Sequence, residues 1–153
     1  MAMMTESEFK KQLSAKEFER LYFIYGEEKL LVKHYTEKLT EKLTGKKPSD
    51  FNFHRMTTST PVEEIIACMD MIPFTADINC VLLADYNVEE LAESDFAALC
   101  KALEDISEST VVVVSATTVE VNAKSAKWKR FISRAEDYGV VLKCEKKEQL
   151  TLE

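Results

Sequence analysis

The sequence has few of the residues that build metal centres. It contains two histidines, His34 and His54, and four cysteines that stand more than ten residues apart from one another. Structural zinc sites usually draw their ligands from closely spaced cysteine and histidine pairs, so we expect no metal site. Each cysteine lies in an apolar segment, which indicates small buried side chains in a reducing compartment. The cysteines are Cys68, Cys80, Cys100 and Cys144.

Long apolar runs and an excess of positive charge are also missing. No apolar run approaches the ~20 residues that a membrane span requires, and the polar N-terminus lacks the layout of a signal peptide. These two absences predict a cytoplasmic protein. The net charge of −7 argues against a module that binds nucleic acid by itself, because phosphate binding needs an excess of Lys and Arg.

What the sequence does contain is enough apolar material for a core, arranged in alternating segments. Apolar residues make up 46% of the 153 residues, which favours one globular domain. The clearest segment is residues 111–114, four consecutive valines typical of a strand buried on both faces. The other predicted strands are residues 21–25, 51–56, 80–84 and 140–144.

Four predicted helices separate these strands. From residue 27 to residue 43 apolar side chains recur at every fourth position, which predicts a helix with one apolar stripe. Thr60 and Glu63 form a capping-box pattern at the start of the second helix, and Asn122 is the predicted cap of the fourth. Strands that alternate with helices require crossover connections, so we predict an α/β fold. Its expected form is three-layer α/β/α with a five-stranded, mostly parallel sheet.

The two ends of the chain carry no signal for this fold. We predict that residues 1–16 are an arm or a tag-derived segment, and that residues 17–145 form the α/β domain. Residues 146–153 are predicted to begin a linker to a further part of a longer protein, because the parallel sheet stops there without a closing element.

The turn after the first predicted strand stands where open parallel sheets bind ligands. A phosphate-binding loop needs the pattern Gly-x-x-x-x-Gly-Lys-Ser/Thr, whose backbone N–H groups, lysine and hydroxyl hold the phosphates and magnesium. Counting from Gly26, Leu31 replaces the second glycine, Val32 the lysine and Lys33 the hydroxyl residue. The first glycine is therefore present, and the residues that bind phosphate are not.

Charges and polar residues nearby do not restore such a site. Glu27 and Glu28 place two negative charges where the phosphates would lie. Asp85, Ser115 and Thr117 follow later strands, where hydrolases hold magnesium and place a polar sensor. Without a phosphate cradle we interpret these three as turn residues. We expect no nucleotide cofactor and no catalytic site.

Several segments, in this order along the chain, carry a family resemblance. They are residues 21–28 with the turn Tyr25-Gly26-Glu27-Glu28, then Asp50-Phe51-Asn52, Met71-Ile72-Pro73-Phe74, the strand that ends before Asp85, and residues 109–114. This set resembles the delta subunit family of bacterial DNA polymerase III clamp loaders, over about residues 20–150. The resemblance implies a P-loop NTPase-like fold of the AAA+ type with a defunct nucleotide site, followed by helical domains.

The resemblance also implies a function. A delta subunit inserts an apolar wedge into the ring-shaped sliding clamp and helps to open the ring during DNA replication, without binding or hydrolysing ATP. It is an accessory subunit of a DNA-directed DNA polymerase, a nucleotidyltransferase. The other clamp-loader subunits are then expected to bind this protein mainly through C-terminal regions that are absent from this sequence. DNA is expected to be contacted only within the assembled complex, and no membrane is expected to be bound. The matching wedge residues are Met71, Ile72, Pro73 and Phe74.

Other interpretations stay open from the residues alone. Ile72 and Phe74 fit equally well as caps of the core between the second helix and the third strand. The chain also fits a divergent nucleotide-binding enzyme, or a regulatory doubly wound domain of another family. The basic helix from Lys124 to Arg134 fits a solvated face, or a surface for DNA or a neighbouring subunit.

Overall fold

The structure, a computed structural model, describes residues 2–45, 52–73 and 77–145. Within these ranges it has six strands, five α-helices and one short 3-10 helix, Val88–Glu90. In chain order the strands and α-helices are β1 (Ala2–Met4), α1 (Glu6–Ala15), β2 (Leu21–Tyr25), α2 (Lys29–Thr44), β3 (Phe53–Met56), α3 (Val62–Met69), β4 (Asn79–Leu83), α4 (Glu93–Leu103), β5 (Thr110–Ser115), α5 (Ala126–Tyr138) and β6 (Val140–Lys143).

The strands of the described residues form one parallel sheet in the order β1-β6-β2-β5-β4-β3. The predicted α/β class and three-layer arrangement are confirmed, with α1 and α2 on one face and α3, α4 and α5 on the other. The sheet has six strands rather than the predicted five, because β1 adds a strand beside β6.

Strand β2 shows how the two faces of the sheet are filled. All five of its residues are buried, since helices cover both sides of a central parallel strand. Alternate side chains point to opposite faces. Phe23 packs in the cluster beneath α5, against Trp128 and Phe131. Tyr22 and Ile24 pack in the cluster beneath α1 and α2.

The N-terminal residues differ from the expected arm at residues 1–16. Residues 2–4 pair with β6, and Phe9 of α1 is fully buried against the rings of Tyr22 and Tyr35. The Thr5 hydroxyl and the Glu8 carboxylate cap the start of α1 reciprocally. Residues 2–15 are therefore part of the layered fold. The assignment of residues 146–153 to a linker falls outside the described residues.

Two predicted helix caps are wrong. The Thr60 hydroxyl accepts a hydrogen bond from the Thr57 backbone N–H at 3.1 Å and does not cap α3. Helix α5 is capped by Ser125, whose hydroxyl accepts from the Trp128 N–H at 3.2 Å, while Asn122 lies in the preceding turn. Both errors arise because Ser, Thr and Asn bond the backbone of turns as readily as that of helix starts.

Candidate functional site

The two sites considered in the sequence lie at opposite edges of the sheet. The turn after β2 and the loops after β4 and β5 follow the strands, so they lie at the carboxyl edge. The segment that contains Met71, Ile72 and Pro73 precedes β4 and lies at the amino edge. Strand β4 has five residues, which separates the edges by ~17 Å.

The turn after β2 is packed against the end of β6. Gly26 has φ of +143°, and a Cβ at this position would lie 2.3 Å from the carbonyl oxygen of Cys144. The Glu28 N–H donates to that same oxygen at 3.0 Å, and the Cys144 N–H donates to the Tyr25 carbonyl at 2.7 Å. The Glu28 amide that a phosphate loop would offer to a ligand is thus bound to protein.

The side chains that follow are also arranged for packing. Val32, at the position of the phosphate-binding lysine, lies on the inner face of α2 and is fully buried. Leu31 is half-buried, while Lys33 is exposed. At the turn itself Glu27 is exposed and Glu28 is half-buried. The position that would reach a phosphate therefore points into the core.

Asp85 holds the loop after β5. Its Oδ1 accepts hydrogen bonds from the backbone N–H groups of Thr117 (2.9 Å), Thr118 (2.8 Å) and Val119 (3.0 Å), and its Oδ2 accepts from the Thr118 hydroxyl. The Asp85 N–H donates to the Ser115 hydroxyl at 3.2 Å. These contacts agree with the turn role expected for Asp85 and Thr117, while Ser115 is the last residue of β5 rather than a turn residue.

The same contacts make the stability of the fold depend on pH, through the pKa of Asp85. Burial raises the pKa of this carboxyl, but the bonds from the Thr118 hydroxyl and the three amides outweigh burial and lower the pKa to about 2. A lowered pKa stabilises the fold above the unfolded value near 3.8, and this contribution is lost as pH falls toward 2. The carboxyl is partly solvated, so we expect a contribution below about 2 kcal/mol.

This dependence can be measured with the Asp85→Asn variant. The difference in unfolding free energy between wild type and variant, from urea titrations, should be largest above pH 5 and should shrink between pH 4 and pH 2. Thr118→Val removes one of the hydrogen-bond donors to Asp85. It should therefore lower the unfolding free energy above pH 5 as well, by a smaller amount than Asp85→Asn. A difference that stays constant across this pH range would contradict the role assigned to the carboxylate.

A cleft of about 410 Å³ lies between α2 and the ends of β3, β4 and β5. It is lined by Lys29, Lys33 and Arg55 as well as by Asp85 and Leu82. The Lys29 ammonium donates to the Val119 carbonyl at 3.4 Å. This cleft is where an open parallel sheet would hold a ligand, and its basic side chains come from two separate elements.

At the amino edge, apolar side chains face solvent in the segment between α3 and β4. Ile72 is 84% exposed and Met71 is 41% exposed, while Pro73 is half-buried. Phe74 lies outside the described residues. The exposure of Ile72 contradicts the alternative in which this side chain closes the core.

Two buried polar side chains hold the base of this segment. Asn79 Nδ2 donates to the carbonyl oxygens of Cys68 at 2.8 Å and Met71 at 3.2 Å. The Thr110 hydroxyl donates to the Met69 carbonyl at 2.8 Å. Sequence reasoning missed both residues. The available signal was a polar residue at the first position of each of two buried strands, which places a donor at the amino edge.

The basic residues of α5 mostly contact their own domain. An Arg or Lys that pairs with a neighbouring helix lays its aliphatic stem along that helix. Three of the four bind residues on α4 or directly beside its ends: Lys127 donates to the Leu91 carbonyl, Arg130 pairs with Glu93 at 3.0 Å, and Arg134 pairs with Glu104 at 3.3 Å. These contacts favour the interpretation of α5 as a solvated helix that packs on its own domain, rather than as a surface that binds DNA.

The described part of the chain contains no cluster of three or more His, Cys, Asp or Glu residues that could hold a metal ion. All four cysteines are free, and burial raises the pKa of the Cys80 thiol to about 12. His34 is exposed on α2, and His54 is half-buried on β3. Across the same residues no helix has the length and apolar character of a membrane span.

Solved structures share this fold. The chain aligns with the Bacillus subtilis DNA clamp loader delta protein with a TM-score of 0.73 and 17% identity, covering 92% of this chain and 42% of that one. A Thermotoga maritima DNA polymerase III gamma subunit-related protein gives a TM-score of 0.62 at 13% identity, with 93% and 47% coverage. The chain thus spans less than half of either protein. These similarities agree with the predicted α/β fold class.

Sequence comparison gives the family. No curated protein matches the chain significantly. A family model described as "DNA polymerase III, delta subunit" matches residues 22–145, which is most of the chain. The match begins in β2 and runs through β6, so it includes both edges of the sheet. The chain belongs to the DNA polymerase III delta subunit family.

Proposed function

We propose that this domain takes part in clamp loading during DNA replication. It binds the sliding clamp through Met71, Ile72, Pro73 and Phe74 and helps to open the ring, without binding or hydrolysing ATP. The observation that carries the proposal is the 84% exposure of Ile72 beside exposed Met71, on a segment anchored at its base. Family membership and the similarity to a clamp loader delta protein support it.

The segment has the physical properties of an apolar wedge. Burying an exposed isoleucine side chain in an apolar pocket contributes about 1.5–3 kcal/mol. Pro73 restricts Ile72 to extended geometry, so little conformational freedom is lost when the segment binds. An aromatic side chain at position 74 adds the type of residue that most often dominates interface energy.

The contacts at the carboxyl edge of the sheet support the proposal that the domain functions without binding nucleotide. The Glu28 amide is bound to the Cys144 carbonyl, and Val32 is buried where a lysine would be needed. The Asp85 carboxylate accepts four hydrogen bonds from the loop after β5, which leaves it poorly placed to hold magnesium. The domain therefore acts as an accessory subunit of the polymerase, and catalysis belongs to other chains.

Contacts with the other clamp-loader subunits are assigned to the helical domains that follow this domain in the family. DNA is contacted only within the assembled complex. The net charge of −7 and the pairing of the α5 basic residues with α4 support this division.

The proposal predicts a large effect of Ile72→Ser on clamp binding. The variant should bind the sliding clamp of the same organism at least about tenfold more weakly in surface plasmon resonance, because an anchor worth roughly 1.5 kcal/mol or more is removed. Phe74→Ala should cost about 2 kcal/mol or more. Both the folded structure and its stability should change little with Ile72→Ser, since surface substitutions usually cost within about 0.5 kcal/mol.

Leu30→Ser is the matched control. Leu30 is 83% exposed, as exposed as Ile72, but it lies on α2 at the carboxyl edge. The control variant should keep the wild-type affinity for the clamp. If both variants lose affinity equally, or if neither does, the assignment of the wedge is wrong.

A further inference from the structure

We infer that Asn79 and Thr110 are positioning residues for clamp binding, which hold the backbone next to Ile72 in the orientation that the clamp recognises. This role rests on the proposed function of the segment. It concerns two fully buried side chains that cannot touch the clamp themselves.

The two residues form one hydrogen-bonded unit. They are the first residues of β4 and β5, lie opposite each other in the sheet register, and are linked by a bond of 3.3 Å from Asn79 Nδ2 to Thr110 Oγ1. Together they donate to three backbone carbonyls, those of Cys68, Met69 and Met71. The carbonyl of Met71 belongs to the peptide group that leads into Ile72.

This hydrogen-bonded pair takes the place of the usual C-terminal cap of helix α3. The last carbonyls of a helix lack partners within it, and many helices satisfy them with a glycine in the left-handed conformation. Helix α3 has no such glycine, because its C-terminal cap is Asp70 with φ of −90° and ψ of −1°. Backbone N–H groups at the helix end bond the carbonyls of residues 66–68, and the sheet supplies the donors for Met69 and Met71 and a further donor for Cys68. The end of α3, and with it the direction in which Met71 and Ile72 leave the helix, is therefore tied to β4 and β5.

Anchoring of this kind matters for binding. A loop that is already held in its bound geometry loses less conformational entropy on association than a loop that moves freely. Ile72 is mostly exposed, so its own side chain makes few contacts that could orient it. The hydrogen bonds one residue away are what orient the backbone at this end of the segment. Removing them should weaken clamp binding even where the domain stays folded.

Thr110→Val is the direct test, because valine has nearly the same shape and suits a buried strand. The variant cannot donate to the Met69 carbonyl or accept from Asn79. Thr110→Ser keeps the hydroxyl and should restore binding. Thr36→Val is the matched control: Thr36 is also buried and donates to a helix carbonyl, that of Val32 at 2.7 Å, but it lies on α2.

Affinity for the sliding clamp is measured by surface plasmon resonance, with the folded concentration of each variant set by circular dichroism. We expect Thr110→Val to bind about fivefold more weakly, with Thr110→Ser and Thr36→Val within about twofold of wild type. Should Thr110→Val fail to fold, Asn79→Ser, which keeps one donor, is expected to show a smaller loss in the same direction.

Equal affinity of Thr110→Val and wild type would overturn this role while leaving the wedge in place. An equal loss in Thr110→Val and Thr36→Val would overturn it too, since the effect would then follow general stability. A wild-type chain that does not bind the clamp would instead remove the proposed function, and with it the role of Thr110.

Discussion

Gly26→Ala is expected to lower the free energy of unfolding by about 3 kcal/mol or more. Two effects add at this position. The backbone has φ of +143°, which costs an L-residue roughly 1–2 kcal/mol. The new Cβ would also lie 2.3 Å from the Cys144 carbonyl oxygen and 2.6 Å from its nitrogen, and relieving such crowding typically costs about 1–3 kcal/mol. Urea unfolding followed by the fluorescence of the single tryptophan, Trp128, measures the sum.

Substitutions at two other glycines separate the backbone cost from the cost of crowding. Gly45 has φ of +84°, and no atom of the described residues lies within 4 Å of its Cβ position, so Gly45→Ala should show only the backbone cost, about 1 kcal/mol. Gly139 has extended backbone, but its Cβ would lie 2.2 Å from the Leu21 carbonyl oxygen, so Gly139→Ala isolates the crowding. If Gly26→Ala is no worse than Gly45→Ala, the turn after β2 is not packed against β6 as described.

Phe9→Ala is expected to cost about 3–5 kcal/mol, the range seen when a buried phenylalanine is truncated. Phe9 is fully buried, and its ring meets those of Tyr35 and Tyr22 edge-on, with centroids 5.4 Å and 6.1 Å away. Loss of this ring would leave a cavity between α1, α2 and β2. The measurement is again urea unfolding followed by Trp128 fluorescence, which reports from the opposite face of the sheet.

Met3→Ala provides the control within the same N-terminal region, because Met3 is half exposed on β1. Its cost should stay below about 1 kcal/mol. A dispensable arm would instead tolerate both substitutions equally well, and that outcome would contradict the place of α1 in the layered fold.

The central sheet was predictable because its strands are buried on both faces. Residues 111–114 can be little else than a buried strand, and the structure extends it by one residue at each end as β5. The helix from residue 27 to residue 43 was predicted from a four-residue repeat at Leu31, Tyr35, Leu39 and Leu43. The last three are buried on α2, while Leu31 is half-buried. In both cases burial leaves an apolar pattern that can be seen without tertiary information: a continuous run for the strand and a periodic stripe for the helix.

The N-terminal elements left a weaker signal. Strand β1 has three residues and pairs on one side with β6, so it needs no long apolar run. Helix α1 buries only Phe9 and Leu13, too few positions to show a clear period. The spacing of Thr5 and Glu8 was an unused signal, since the two residues form a capping box at the start of α1.

The candidate sites were predictable to different degrees. That Gly26 and Asp85 lie at one edge, with Ile72 at the other, follows from parallel strands and was available from the sequence. The exposure of Ile72 was not, because an apolar residue after a helix fits the core equally well. The Asn79–Thr110 pair depends on the register of β4 against β5, which forms only when residues 31 positions apart come together.

The central claim is that this domain binds the clamp through its amino edge and does not need nucleotide at its carboxyl edge. The most direct test is the affinity of the wild-type chain for the sliding clamp, measured by calorimetric titration with and without millimolar ATP and magnesium. We predict binding of the same affinity in both conditions, with no heat when ATP and magnesium are titrated into the chain alone. Binding that appears only with ATP, or no binding in either condition, would contradict the account.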